Sequence, residues 1–157
     1  MKGQLSKEIE VTVPATDIWE VYGSLELGKL IPKLMPDILR DVEVVEGDGG
    51  VGTVLKLTLP PGIPGLSYYK EKFTKVDNEK RHKETEVVEG GYLELGFTLY
   101  RITLQIIEKD SESSIIKSTI DYEVNDDSAD NAAFVSTKPL ETIAQVIGKY
   151  LMEKKAV

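Results

Sequence analysis

From Gln4 to Val13 apolar and polar side chains alternate, with Leu5, Ile9, Val11 and Val13 set among Lys7, Glu8, Glu10 and Thr12. A period of two predicts a strand. Pro14-Ala15-Thr16-Asp17 punctuates it, after which Ile18, Trp19, Val21 and Tyr22 recur at helical spacing up to Gly23-Ser24. Leu27, Leu30, Ile31 and Leu34 predict a second short helix that ends before Pro36, so the two helices form an early V. Leu39 to Val45, the glycine-rich run Glu46 to Gly52, and the alternation of Leu55, Leu57 and Leu59 read as strand, turn, strand.

Beyond the stiff loop Pro60-Pro61-Gly62-Ile63-Pro64-Gly65, alternating segments return at Tyr68 to Val76, Arg81 to Val88, Phe97 to Ile107 and Ile115 to Val124. Their joints, Asp77-Asn78-Glu79, Gly90-Gly91 and Lys109-Asp110-Ser111, are turn formers. Seven strands with short joints predict an antiparallel sheet. From Ser128 the period becomes helical, with Ala133, Phe134, Leu140, Ile143, Ala144, Ile147 and Leu151 on one stripe. Asn131 to Lys154 is therefore expected to be mostly helical, kinked or restarted at Pro139. The outcome is an α+β architecture in one domain over residues 1–157, a long amphipathic helix laid on a curved seven-stranded sheet. The gap between helix and sheet is the natural ligand site.

Composition narrows the chemistry. Of 157 residues, 41% are hydrophobic and 29% charged, which excludes collagen, coiled coil and wholesale disorder. The net charge of −8 repels phosphate backbones and anionic lipid, so neither nucleic acid nor a membrane surface is an expected partner. Cysteine is absent, which removes disulfides, thiolate zinc sites and cysteine nucleophiles. His82 is the only histidine and no G-x-S-x-G elbow accompanies it, so hydrolase triads drop out. No apolar run approaches the roughly 18 residues of a membrane span, and the start MKGQLSKEIE carries no apolar leader core, so a cytoplasmic location is expected.

Gly47-x-Gly49-x-x-Gly52 matches the dinucleotide fingerprint, but that motif needs a helix after it and a strand pattern follows instead. A hairpin turn with positive φ angles explains the glycines better. Asp121, Glu123, Asp126, Asp127 and Asp130 match no calcium loop and read as a solvated face. No metal or cofactor is expected. His82 reads as an exposed strand residue.

Strand parity is more informative. Tyr69, Glu71 and Phe73 share the inward face of one strand, and Lys83, Thr85 and Val87 that of the next. With a three-residue joint Asp77-Asn78-Glu79, Val76 pairs with Lys80 and Phe73 opposes Lys83. Glu71 then lies on the diagonal, about 7 to 8 Å away. Two readings stay open: an ion pair at the sheet surface, or a buried pair in which a general base sits beside a proton donor. Tyr69 adds a hydroxyl on the same face. Tyr22, Phe73, Tyr100, Ile102, Tyr122 and Phe134 are candidates to line a cavity for a small aromatic or apolar ligand.

Glu46-Gly-Asp-Gly-Gly-Val-Gly-Thr53, Tyr69-Lys-Glu-Lys-Phe73 and Glu89-Gly-Gly-Tyr-Leu93 resemble the plant pathogenesis-related class ten proteins of the birch-pollen-allergen superfamily. The resemblance covers nearly the whole chain and implies the helix-grip fold, with the sheet wrapped around a long C-terminal helix to enclose a hydrophobic cavity. Ile18 to Tyr22, Tyr69 to Phe73, Glu79 to Arg81 and Pro139-Leu140 are most similar to the norcoclaurine synthase family. That resemblance implies a cofactor-free Pictet-Spengler condensation of dopamine with 4-hydroxyphenylacetaldehyde, in a monomer or weak dimer, with catalytic roles for Tyr69, Glu71 and Lys83. A fourth family residue, an aspartate, falls on Ile102. The superfamily also implies other outcomes: a non-catalytic carrier of a plant hormone or other apolar ligand, or another alkaloid-pathway isomerase or cyclase.

Overall fold

The computed structural model describes residues 1–62 and 66–155. Seven strands form one antiparallel sheet: β1 (Lys2–Val11), β2 (Asp41–Glu46), β3 (Val54–Thr58), β4 (Tyr68–Asp77), β5 (His82–Gly90), β6 (Phe97–Asp110) and β7 (Ser113–Val124). Their spatial order is β1-β7-β6-β5-β4-β3-β2. Each strand after β2 thus pairs with its predecessor, and β1 closes the far side against β7. The two strands adjacent at the start of the chain end up at opposite sheet edges, and the chain crosses between them through α1 (Ala15–Tyr22) and α2 (Glu26–Leu34).

α1 buries Ala15, Ile18, Val21 and Tyr22. α2 buries Leu27, Leu30 and Ile31. Together with Phe73, Leu104, Ile116, Ala144 and Ile147 these side chains form the main core. A second apolar cluster, Phe97, Tyr100, Ile120, Val124 and Val135, lies toward the other end of β6 and β7. The glycine-rich run is a turn between β2 and β3, with φ of 91° at Gly47, 109° at Gly49 and 94° at Gly52. The Thr53 hydroxyl accepts a hydrogen bond from the Gly49 N–H at 2.9 Å and fixes this turn.

The C-terminal segment differs from the expected helix. Asp126–Phe134 forms a 3-10 helix, and α3 begins only at Lys138, running to Lys155. Pro139 therefore starts α3 instead of kinking it, since a first-turn proline lacks a donor that would have no intrahelical partner anyway. The Thr137 hydroxyl donates to the Glu141 carboxylate at 2.8 Å, tying down that first turn. α3 buries Ile143, Ala144 and Ile147 against the concave side of the sheet. Of the proline-rich loop, residues 63–65 lie outside the described residues. No helix among the described residues is long and apolar enough to cross a membrane.

Candidate functional site

β4 and β5 carry the polar groups inward, but not in the anticipated register. The turn is Asn78 to Arg81, four residues long, with Arg81 at φ 51°. Val76 pairs with Lys83, Phe73 with Thr85 and Glu71 with Val87, and β4 carries a bulge between Phe73 and Lys75. A bulge inserts one unpaired residue and flips the alternation beyond it. Phe73 and Val76, three residues apart, consequently both pack toward the core. A second irregularity between Lys70 and Glu71 offsets the ladder again. Lys83 thus stands opposite Val76 and not opposite Phe73, yet it faces the same interior as Glu71.

Two connected hollows occupy that interior. The deeper one, about 80 Å³, is bordered by Glu71, Lys83, Thr85 and Ser118 among apolar side chains that include Tyr22 and Leu104. The outer one, about 360 Å³, is walled by Leu59, Pro60, Pro61, Leu66, Tyr92 and Tyr100 with other apolar groups. Leu39, Tyr69, Ile102, Leu140 and Ile143 border both and form the waist between them. Tyr92 and Tyr100 stack at a 4.0 Å centroid distance, 5° from parallel, making a flat aromatic wall in the outer chamber.

Lys83 is 3% exposed, so its ammonium has left most of its hydration behind. It donates to the Tyr22 carbonyl at 3.1 Å and sits 3.9 Å from the centroid of the Phe73 ring. Burial lowers its pKa to about 8, with the Glu71 charge opposing that shift. Burial raises the Glu71 pKa, while Lys83 and the Thr85 hydroxyl pull it back. The Thr85 hydroxyl donates to Glu71 at 3.5 Å, a long bond. Among the described residues neither Glu71 nor Lys83 is in a direct ion pair, so the surface-pair alternative does not hold. The two charges face a common small cavity instead. Burial also pushes the Tyr69 hydroxyl well above its ordinary pKa, so it remains a neutral donor at the waist.

The other anticipated cavity residues divide. Tyr22, Tyr100 and Ile102 border the hollows. Phe73 lies beneath Lys83 as a packing platform and is 1% exposed. Tyr122 is outside both walls, with its ring edge-on to Phe97 at 5.8 Å. Phe134 is 47% exposed, because the 3-10 segment turns it away from the stripe a continuous helix would have given it. Ser118, 4% exposed, was not anticipated. Its signal was present in the alternation Ser114, Ile116, Ser118, Ile120 along β7. Among the described residues no group of three or more histidine or acidic side chains is placed to hold a metal ion.

Residues 1–154 match the model of the pathogenesis-related protein Bet v 1 family. The chain is 51% identical over 156 residues to norbelladine synthase of Narcissus pseudonarcissus, covering 99% of this chain and 96% of that one. It is 41% identical over 157 residues to S-norcoclaurine synthase 2 of Papaver somniferum, covering 99% of this chain and 68% of the other. Among solved structures, norcoclaurine synthase from Thalictrum flavum in complex with dopamine and hydroxybenzaldehyde superposes with a TM-score of 0.86 at 39% identity, covering 98% of this chain and 88% of that one.

Proposed function

The chain belongs to the pathogenesis-related protein Bet v 1 family, and from that premise we propose that it is an enzyme condensing an arylethylamine with an aldehyde, without a cofactor, in the manner of norcoclaurine synthase. The observation that carries the reading is the half-buried Glu71 carboxylate and the buried Lys83 ammonium, facing one small cavity with the Tyr69 hydroxyl at its threshold. A passive carrier of apolar ligands gains nothing from two charged groups drawn out of water into its cavity, each of which costs desolvation free energy.

The roles follow from the protonation states. The neutral amine attacks the aldehyde carbon and forms the carbon–nitrogen bond, while Lys83, as ammonium, gives a proton to the developing alkoxide. The new ammonium nitrogen gives up one proton, which restores Lys83 to its ammonium form, and Lys83 then protonates the carbinolamine hydroxyl so that water leaves and an iminium remains. Glu71, as carboxylate, then accepts the phenolic proton that activates the ring. Ring attack on the iminium carbon leaves a dienone, whose oxygen takes that proton back from Glu71, and the regenerated carboxylate accepts the proton from the new tetrahedral ring carbon. Tyr69, a neutral donor at the waist, orients the two reactants as they meet.

The experiment is incubation with dopamine and 4-hydroxyphenylacetaldehyde followed by chiral analysis of the product. An enantiomeric excess supports the reading, and racemic product at the background rate overturns it. The 51% identity to norbelladine synthase makes norbelladine formation the second activity to assay. A carrier reading draws support from one observation, that Ile102 places an apolar side chain at the waist where the norcoclaurine synthase resemblance implies an aspartate. Equal product from wild type and Lys83→Ala would favour it.

A further inference from the structure

Asp37 is the one formally charged side chain among the described residues that wall the outer chamber. It stands between Pro36 and Ile38 in the connection from α2 to β2, exposed to solvent. Its backbone is fixed: the N–H groups of Ile38 and Leu39 both donate to the Met35 carbonyl, at 2.9 and 3.3 Å. Among the described residues no cation is paired with it. Apolar and hydroxyl-bearing side chains share the chamber wall with it, Pro60, Pro61, Ser136 and Pro139 among them. A single charge beside low-dielectric walls focuses its field into the opening.

An aliphatic primary amine, with a pKa near that of lysine at about 10.4, arrives at neutral pH as a cation. The deep chamber holds the Lys83 ammonium and the Glu71 carboxylate together, so its two charges offset each other, whereas the outer chamber carries the one charge of Asp37. An incoming ammonium therefore meets an uncompensated opposite charge at the mouth and not where the chemistry happens. We propose that Asp37 is the receiving site for the protonated amine, a specificity-determining residue that selects cationic arylethylamines over neutral and anionic aromatics before the amine moves inward. The inference rests on the amine–aldehyde reading for its biological meaning. The overall charge of −8 acts in the same direction on a cationic substrate.

The test uses 4-hydroxyphenylethylamine and its neutral isostere 4-hydroxyphenylethanol, titrated calorimetrically into the protein with no aldehyde present. Asp37→Asn is expected to weaken amine binding about threefold, the size of a solvent-exposed charge pair, and to leave alcohol binding unchanged. Asp37→Lys should weaken the amine about tenfold, and Asp37→Glu should restore it. Wild-type affinity for the amine should fall with added salt, and the Asn variant should lose most of that dependence. Equal weakening of amine and alcohol would mean that Asp37 only shapes the chamber, and unchanged amine binding in both variants would mean that another group receives the cation. Either result overturns the proposal. Because no turnover is measured, an Asp37 effect in a protein that yields racemic product would leave this inference standing and remove only the enzymatic reading.

Discussion

The Lys83 ammonium donates to the backbone carbonyl of Tyr22, and that carbonyl belongs to the last turn of α1, where the aligned peptide dipoles concentrate partial negative charge. A helix end therefore holds the buried cation from one side while the Phe73 ring supports it from another. With one donor committed to Tyr22, the others are available to the cavity. Lys83 is thus anchored without being neutralised by a partner carboxylate.

Replacing Lys83 separates its chemical from its structural role. Lys83→Met is expected to lower stereoselective condensation by about 10² to 10⁴, the usual contribution of a positioned acid. It should leave the melting temperature unchanged or raise it, because an apolar chain of similar length removes a buried charge. Chiral product analysis and thermal denaturation of the same preparation check both halves. Undiminished enantiomeric excess in the variant would end the donor assignment.

The pH profile carries the same information. The proposed reaction needs Lys83 protonated and Glu71 ionised, so kcat/KM should fall as pH rises through about 8 and fall again on the acid side, at a pH above the ordinary glutamate value. Stability behaves differently. Lys83 has a folded pKa below its unfolded one, so the unfolded chain holds the extra proton between about 8 and 10.5. The cost of burying the charge is constant below that window and is relieved as pH rises through it. Wild type should therefore gain stability relative to Lys83→Met across that window, as measured by denaturant midpoints at each pH.

The waist offers a third test. Ile102→Asp supplies the carboxylate that the norcoclaurine synthase resemblance implies at that position. In an enzyme limited by its absence it should raise the rate of ring closure. The same change puts a charged group into the wall shared by both chambers and should weaken apolar ligands, measurable by fluorescence titration. A carrier would show the second effect without the first.

Tyr69 is also held from behind. A Cβ added at Gly91, where φ is 55°, would come within 2.8 Å of the Tyr69 Cβ. Gly91→Ala should cost about 1–3 kcal/mol for the left-handed backbone alone. It should also push Tyr69 off the waist and reduce turnover in protein that remains folded, as judged by circular dichroism.

Parity and spacing in the sequence were enough to place Glu71 and Lys83 on inward faces, because a half-buried strand must alternate. They could not place the two groups relative to each other. That depended on two ladder irregularities and on a four-residue turn whose last residue, Arg81, is a left-handed non-glycine. Bulges leave no period in the sequence, so a register counted from the turn drifts by several residues. Phe134 and Tyr122 show the complementary limit. Phe134 fits a helical stripe only if the helix extends back to it, and the first turn of α3 is set instead by Pro139 and Thr137. Tyr122 has inward parity but lies beyond the chamber, beside Phe97. Ser118 was legible by parity, yet serines alternating with isoleucines give no reason to single out one of them.

The pairing of β1 with β7 has a consequence for how the protein is made. β1 precedes the other six strands in the chain, and its sheet partner β7, registered from Lys2 opposite Glu123 to Val11 opposite Ser114, follows all of them. Such nonlocal closure is slow, because its entropic cost comes before most of the contacts that repay it. α3, whose Leu140 and Ile143 border both chambers, emerges later still. Until β7 and α3 are in place, the chambers that take Glu71 and Lys83 out of water are incomplete. Because burial is the main cause of both shifts, the altered proton affinities of Glu71 and Lys83 belong to the closed sheet and helix and not to the β4–β5 hairpin that carries them.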